Sequence, residues 1–172
     1  LARYKDQIVA FGKESVEFFS DAGNPVGSPW QRTPQGFAKI GCVSQHAYCQ
    51  LEDTVAWVGS TANSGIGLYL LNGLQPTKVS TSNIEAILAS TSVSGLYINA
   101  IRLVGKTFIL IVSTSDNRTY VYCVEDNSWH EWTSSVAYWQ HTAGVSSGTK
   151  FVYSVTEQNT GGKLFVVDPL VF

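Results

Sequence analysis

A short apolar run closed by turn residues returns four times along the chain. No other feature limits the fold as tightly, because a small unit that cannot bury its own apolar face must stack against copies of itself. Asp6-Gln-Ile-Val-Ala-Phe-Gly12 is echoed by Asp53-Thr-Val-Ala-Trp-Val-Gly59, then by Thr107-Phe-Ile-Leu-Ile-Val112 and Lys150-Phe-Val-Tyr-Ser-Val155. Each run is rich in β-branched and aromatic residues, lacks Pro, and is bounded by Gly, Ser or Asp, which is the composition of a well-buried strand.

A second strand follows each run: Ser15-Val-Glu-Phe-Phe-Ser-Asp21, Gly67-Leu-Tyr-Leu-Leu-Asn-Gly73, Thr119-Tyr-Val-Tyr-Cys-Val-Glu-Asp126 and Lys163-Leu-Phe-Val-Val-Asp168. The connecting residues 13–14, 60–65, 113–118 and 157–162 are polar and mostly Gly, Ser, Asn and Asp, as tight reversals require. Four hairpins result. Edge-like third strands come next at residues 30–33, 77–81 and 129–133, with Pro29 and Pro76 placed where a missing donor costs little. A leading strand precedes hairpins two to four, at residues 37–43, 96–101 and 138–145.

The unit is therefore four antiparallel strands in about 45–50 residues, the repeat length of a β-propeller blade. The expectation is an all-β, single-domain partial β-propeller over residues 1–172, with blades at about 6–33, 37–81, 96–133 and 138–172. The first blade lacks its first strand and the last its fourth, making about three and a half blades where closed propellers hold roughly four to eight. Either the two ends pair into a small closed ring, or the chain is an arc of a larger propeller. The absence of any Met favours the arc, as a piece of a longer product. Residues 83–90 break the pattern. With Ile84, Ile87 and Leu88 on one face and Ser82 or Asn83 as cap, they read as a short helix between blades.

Charge and composition narrow the function. Eleven basic against thirteen acidic residues give a net charge of −2 with no run of one sign, so no basic surface for gripping a phosphate backbone is visible. The longest apolar stretches, such as residues 108–112, fall far short of the roughly 18–20 residues that cross a bilayer, so no membrane span is expected. The amino-terminal Leu1-Ala-Arg-Tyr-Lys5 has no signal-peptide character, and three Cys (Cys42, Cys49, Cys123) suit a reducing compartment. Cytoplasmic synthesis is the expectation.

Candidate chemistry is thin, and no catalytic, cofactor or metal residue is assigned. Cys42, His46 and Cys49 offer soft ligands, but no second Cys or His pair lies near, and core filling is the better account of the thiols. Glu52-Asp53, Glu125-Asp126, and Glu14 with Glu17 are conceivable carboxylate pairs for glycoside hydrolysis, yet they fall at strand ends and turns, where acids cap backbone donors. Ser20-Asp-Ala-Gly23 approaches the S-x-D-x-G-x-x-W turn of sialidase-like propellers without matching it, since Asp21 directly follows Ser20 and Trp30 is too distant. His130 beside Trp129 and Glu131, and His141 near Trp139, could serve a base or a sugar platform; packing of Trp129, His130 and Trp132 between neighbouring blades is more economical. Asn117-Arg-Thr119 matches a glycosylation sequon and reads as a turn. Val121-Tyr-Cys-Val-Glu-Asp-Asn-Ser-Trp129 resembles a kelch-type blade, an apolar strand ending in an acidic turn and then Trp.

The most specific pattern is an ordered series of blocks. Residues 13–32, then Ile40-Gly-Cys-Val-Ser44, Asp53-Thr-Val-Ala-Trp-Val-Gly59, Leu68-Tyr-Leu-Leu-Asn-Gly73 and Val79-Ser-Thr-Ser-Asn-Ile-Glu85 together resemble the tail-tube family of short-tailed bacteriophages, which includes packaged-DNA stabilisation proteins of the tail hub or nozzle. The likeness spans about residues 6–90. It implies a virion structural protein and not an enzyme: a subunit of a ring, sixfold in expectation, assembled in the host cytoplasm. Such a ring would extend the portal channel, retain duplex DNA without sequence-specific binding, and contact a portal or adaptor and tail spike, fibre or needle proteins. A mildly acidic surface suits a conduit through which DNA must slide, and five Trp and eight Tyr offer interface anchors. A non-catalytic protein- or glycan-binding propeller is the second reading, and a glycoside hydrolase the third.

Overall fold

The computed structural model describes residues 1–61, 65–132, 143–147, 150–155 and 163–167. Its strands form four separate antiparallel sheets, each a meander of consecutive strands. Residues 1–93 make one compact unit and residues 94–172 another.

In the first unit, β1 (Ala2–Tyr4), β2 (Gln7–Phe11), β3 (Val16–Asp21) and β4 (Trp30–Ala38) pair in that order. The sheet is complete, where the sequence reading left the first blade without its leading strand. Ala2 and Tyr4 face inward and are buried while Arg3 is exposed, so three residues suffice once β2 supplies the hydrogen bonds. The pairing of β3 with β4 shifts between Glu17 and Phe19, and residues 33–36 bulge opposite Phe18. Pro34 lies in that bulge, where no ladder donor is needed.

Phe37 and Ala38 complete β4 instead of starting the second blade. The second sheet begins at β5 (Gly41–Cys42) and continues through β6 (Tyr48–Gln50), both paired on β7 (Val55–Thr61), followed by β8 (Gly65–Asn72) and β9 (Gln75–Lys78). β5 and β6 are one edge strand interrupted by the excursion of residues 43–47 opposite Val58. The amide of Val43 donates to the Val58 carbonyl at 3.1 Å and the amide of Val58 to the Ala47 carbonyl at 2.8 Å.

The two sheets meet through Val9, Val16 and Phe18 of the first and Val55, Trp57, Tyr69 and Leu71 of the second. Phe11 joins them, its ring 5.1 Å from Tyr48 and 5.5 Å from Trp57, which in turn stacks on Tyr69 at 5.9 Å. Val55, Ala56, Trp57 and Val58 are all fully buried, so β7 is covered on both faces; that is why it reads as a continuous apolar run and not as an alternation.

Helix α1 (Ser82–Ser90) buries Ile84 and Leu88 and packs on β8. Its N-cap is Thr81, not Ser82 or Asn83, because the Glu85 amide already donates to the Thr81 carbonyl at 2.9 Å; the Thr81 side chain makes no cap bond. Glu85 reaches instead to Lys78 Nζ at 2.8 Å and Ser80 Oγ at 3.1 Å, pinning the helix to the end of β9.

In the second unit, β10 (Leu96–Leu103), β11 (Lys106–Ser113), β12 (Arg118–Cys123) and β13 (Ser128–Trp132) follow the expected blade closely. Ile109, Leu110, Ile111 and Val112 of β11 are wholly buried. A two-residue turn, Val104 at φ 51 and Gly105 at φ 77, joins β10 to β11, the positive-φ pair that suits the twist of a hairpin. Four-residue turns at 114–117 and 124–127 join the later strands, each ending in an Asn at positive φ: Asn117 at 56 and Asn127 at 51. The Asp-Asn pair that recurs at 116–117 and 126–127 is thus a turn device, because Asn tolerates this conformation better than most side chains. The last sheet holds β14 (Ala143–Ser147), β15 (Lys150–Val155) and β16 (Lys163–Val167). Residues 138–142 of the expected leading strand and the expected turn at 157–162 lie outside the described residues.

Candidate interaction surfaces

The residues that offered chemistry are dispersed. Cys42 donates to the Ser44 carbonyl at 3.1 Å, and burial pushes its thiol pKa up. Cys49 is buried on β6, its pKa pushed up to about 12 by loss of solvent. His46 sits exposed on the 43–47 excursion, its Nε2 3.0 Å from Gln45 Nε2. The three do not converge, and among the described residues no group of three His, Cys, Asp or Glu side chains is placed to hold a metal ion.

The acids cap backbone donors or pair with basic side chains. Glu125 Oε2 accepts from the Thr107 amide at 2.8 Å, and Asp126 Oδ2 pairs with Lys106 Nζ at 2.5 Å, so the 124–127 turn clips the start of β11. Burial raises the Glu125 pKa, but the Thr107 amide and further hydrogen bonds outweigh it and hold the carboxyl below the ordinary range. The Lys106 hydrogen bond is the main cause of the lowered Asp126 pKa, with the Cys123 thiol adding to it. Glu17 pairs with Arg32 at 3.3 Å, Glu14 lies in the turn before β3, and Glu52 and Asp53 are exposed in the turn before β7. Asp21 Oδ1 accepts from the Gly23 amide at 2.8 Å, an Asx turn opening the loop after β3.

His130 is exposed, 2.9 Å from Ser128 Oγ; Trp129 lies 5.1 Å from Tyr122, and Trp132, 5.6 Å from Phe108, joins an apolar cluster against which Val167 of the last sheet also packs. His141 and Trp139 lie outside the described residues. Several aromatic side chains serve the interior, with Tyr4, Phe18, Trp57, Tyr69, Tyr120 and Tyr122 all buried. Trp30 is the exposed Trp among the described residues, at 43%.

Two surface features stand apart, and both bracket the β3–β4 hairpin. At one end, the 22–29 loop is closed by the Ala22 amide donating to the Pro29 carbonyl at 2.8 Å, and Asn24 Nδ2 donates to the Ser28 carbonyl at 3.3 Å. Gly23 at φ 62 and Gly27 at φ 90 turn the chain, leaving Val26 87% exposed beside Pro25. At the other end, Lys13, Glu14, Phe37, Lys39, Val43 and Val93 line an open recess of about 800 Å³. Neither was singled out from the sequence: residues 22–29 carry no pattern that marks a closed loop, and the recess assembles residues scattered from 13 to 93.

Beside the recess, which Lys13 and Ser15 line, lies a joint where two sheets touch backbone to backbone. The Cys42 amide donates to the Gly12 carbonyl at 2.9 Å, and the Gly12 amide to the Ser15 carbonyl at 2.7 Å. A Cβ on Gly41 would come within 1.7 Å of the Lys13 carbonyl oxygen, and one on Gly59 within 2.7 Å of the Gly41 oxygen. Only glycine permits that approach.

The described residues thus present a closed loop and an open recess at strand ends of the first unit. No curated protein matches the chain in sequence. The family model described as "Bacteriophage P22 Gp10, beta-propeller" matches residues 1–165, and the chain therefore belongs to this phage stabilisation family.

Proposed function

We propose that the chain is a tail-tube or nozzle subunit of a short-tailed phage: a structural, non-enzymatic part of the virion that continues the portal channel, retains packaged DNA and docks other tail proteins. Residues 1–172 would act as one partial-propeller module within a ring. The family match over residues 1–165 carries this reading. Physical features support it. Within the sheets, turns such as 114–117 and 124–127 are held by side-chain hydrogen bonds, so these strand ends can define fixed contact points. The net charge of −2 suits a wall that must not grip the sliding duplex.

Mass spectrometry of purified virions, with negative-stain microscopy of the protein mixed with its portal, tests the reading. The expected result is this polypeptide in the particle and rings stacked on portal rings. A polypeptide missing from washed virions and monomeric beside its portal at micromolar concentration contradicts it.

A further inference from the structure

Resting on the reading of the chain as a ring-forming tail subunit, we propose that the 22–29 loop of one copy seats in the Phe37–Val43–Val93 recess of the next, joining copies head to tail. The loop is a preformed knob. Its backbone is closed on itself, and its two positive-φ glycines leave Pro25 and the 87%-exposed Val26 at the tip, with the half-exposed ring of Trp30 at its base. Large apolar side chains displayed on a closed loop gain by leaving water, and a loop already ordered has little conformational entropy left to lose.

The recess is complementary in kind. Phe37 and Val93 are 39% and 41% exposed at its wall, and Lys13 and Lys39 stand at its rim. Among the described residues neither lysine has a carboxylate partner. Asp21 at the base of the knob spends one oxygen on the Gly23 amide and leaves the other to meet them.

Geometry forbids the knob from filling its own recess. The knob leaves the Asp21 end of β3 and the recess adjoins the Val16 end, at opposite ends of this six-residue strand, a separation of roughly 17 Å. A second copy has no such constraint. Knob and recess are different patches, so the contact is heterologous: each copy uses one of each, and the series closes into a ring when the rotation between copies allows it.

Complementation tests this contact with the full chain. Val26→Asp spoils the knob at an exposed position; Val93→Asp, with Lys39→Glu as a second choice, spoils the recess. Sedimentation velocity at micromolar concentration should show self-association of the unaltered chain beyond a dimer. Each variant alone should associate at least 30-fold more weakly, about 2 kcal/mol. An equimolar mixture of Val26→Asp and Val93→Asp should form one-to-one pairs and stop, since it contains one intact knob and one intact recess per pair. Val26→Asp assembling like the unaltered chain, an unaltered chain that stays monomeric, or a mixture no better than its parts overturns the proposal. Failure of this contact alone leaves Val26→Asp present in virions and in portal-bound rings; failure of the tail reading removes the unaltered chain from virions.

Discussion

Adding one methyl group at Gly41 is a severe perturbation for a surface-sized change, because the joint between the first two sheets leaves no room for it. The new Cβ of Gly41→Ala would sit 1.7 Å from the Lys13 carbonyl oxygen, 2.1 Å from its carbon and 2.5 Å from the Glu14 nitrogen. Ordinary contact needs more than 3 Å, and all three obstacles are backbone atoms, so no side chain can swing aside. The 13–14 turn must move by more than an ångström. That motion breaks the 2.9 Å bond from the Cys42 amide to the Gly12 carbonyl and strains the pairing of Gly41 with Ser60. Overpacking costs about 1–3 kcal/mol, and a buried amide left without its acceptor about 1–3 kcal/mol more. The expected loss is about 2–6 kcal/mol, a large share of the roughly 5–15 kcal/mol of a typical domain. Gly23→Ala is the control: its φ of 62 is unfavourable for alanine, but nothing lies within 4 Å, so it should cost only about 1–2 kcal/mol. Urea unfolding followed by tryptophan fluorescence measures both, since Trp57 is fully buried in the core beside the joint. With a slope of about 1.5 kcal/mol per molar urea, Gly41→Ala should lower the midpoint by about 1.3–4 M. A midpoint no lower than that of Gly23→Ala refutes the reasoning.

Val104 holds φ 51 while 82% exposed, so Val104→Asn relieves a β-branched residue of a left-handed conformation without losing packing; thermal unfolding should show about 1 kcal/mol of stabilisation, and a destabilised variant would contradict the turn geometry. Asn127→Ala forfeits both its positive φ of 51 and the 2.6 Å bond accepted from Tyr122 Oη, for about 2–3 kcal/mol, whereas Asn127→Gly loses the bond alone, for about 1 kcal/mol; equal costs in chemical denaturation would count against this division. The Lys78 hydrogen bond lowers the pKa of Glu85 and the Lys106 hydrogen bond that of Asp126. A lowered folded-state pKa contributes stability that is present above the ordinary carboxylate values near ~4 and is lost as pH falls through the folded ones. The urea midpoint should therefore drop on acidification below about pH 4, and drop less steeply in the Glu85→Gln, Asp126→Asn double variant; identical acid limbs would exclude this linkage.

The strands that sequence reading located are those whose burial is written in consecutive residues. β7 and β11 carry unbroken apolar runs because both faces are covered, and the Asp-Asn pairs announce their turns through the conformations Asn tolerates. β1 escaped because Ala-Arg-Tyr has no signal of its own; its two inward side chains are buried by strands elsewhere in the unit. The run from Phe37 to Val43 looked like one strand, yet it crosses from β4 to β5, and the crossing is enforced at Gly41 by the Lys13 carbonyl, a contact no local pattern encodes. Trp and Tyr were expected at interfaces, but residue type does not say which side of a strand is covered, and Trp57 and Tyr69 went to the core. The family was legible in the block order of residues 6–90, and the match extends over residues 1–165. The knob at 22–29 was hidden by composition, since a Gly-Asn-Pro loop reads alike whether it is slack or closed by its own hydrogen bonds.

Electron cryomicroscopy of the intact tail tests the central claim most directly. The account predicts, in density immediately beyond the portal, repeated copies of three four-stranded antiparallel sheets into which residues 2–38, 41–78 and 96–132 can be traced. A tail map fully accounted for by other polypeptides, or density for this chain in which those residues form two facing layers instead of successive sheets, would contradict it.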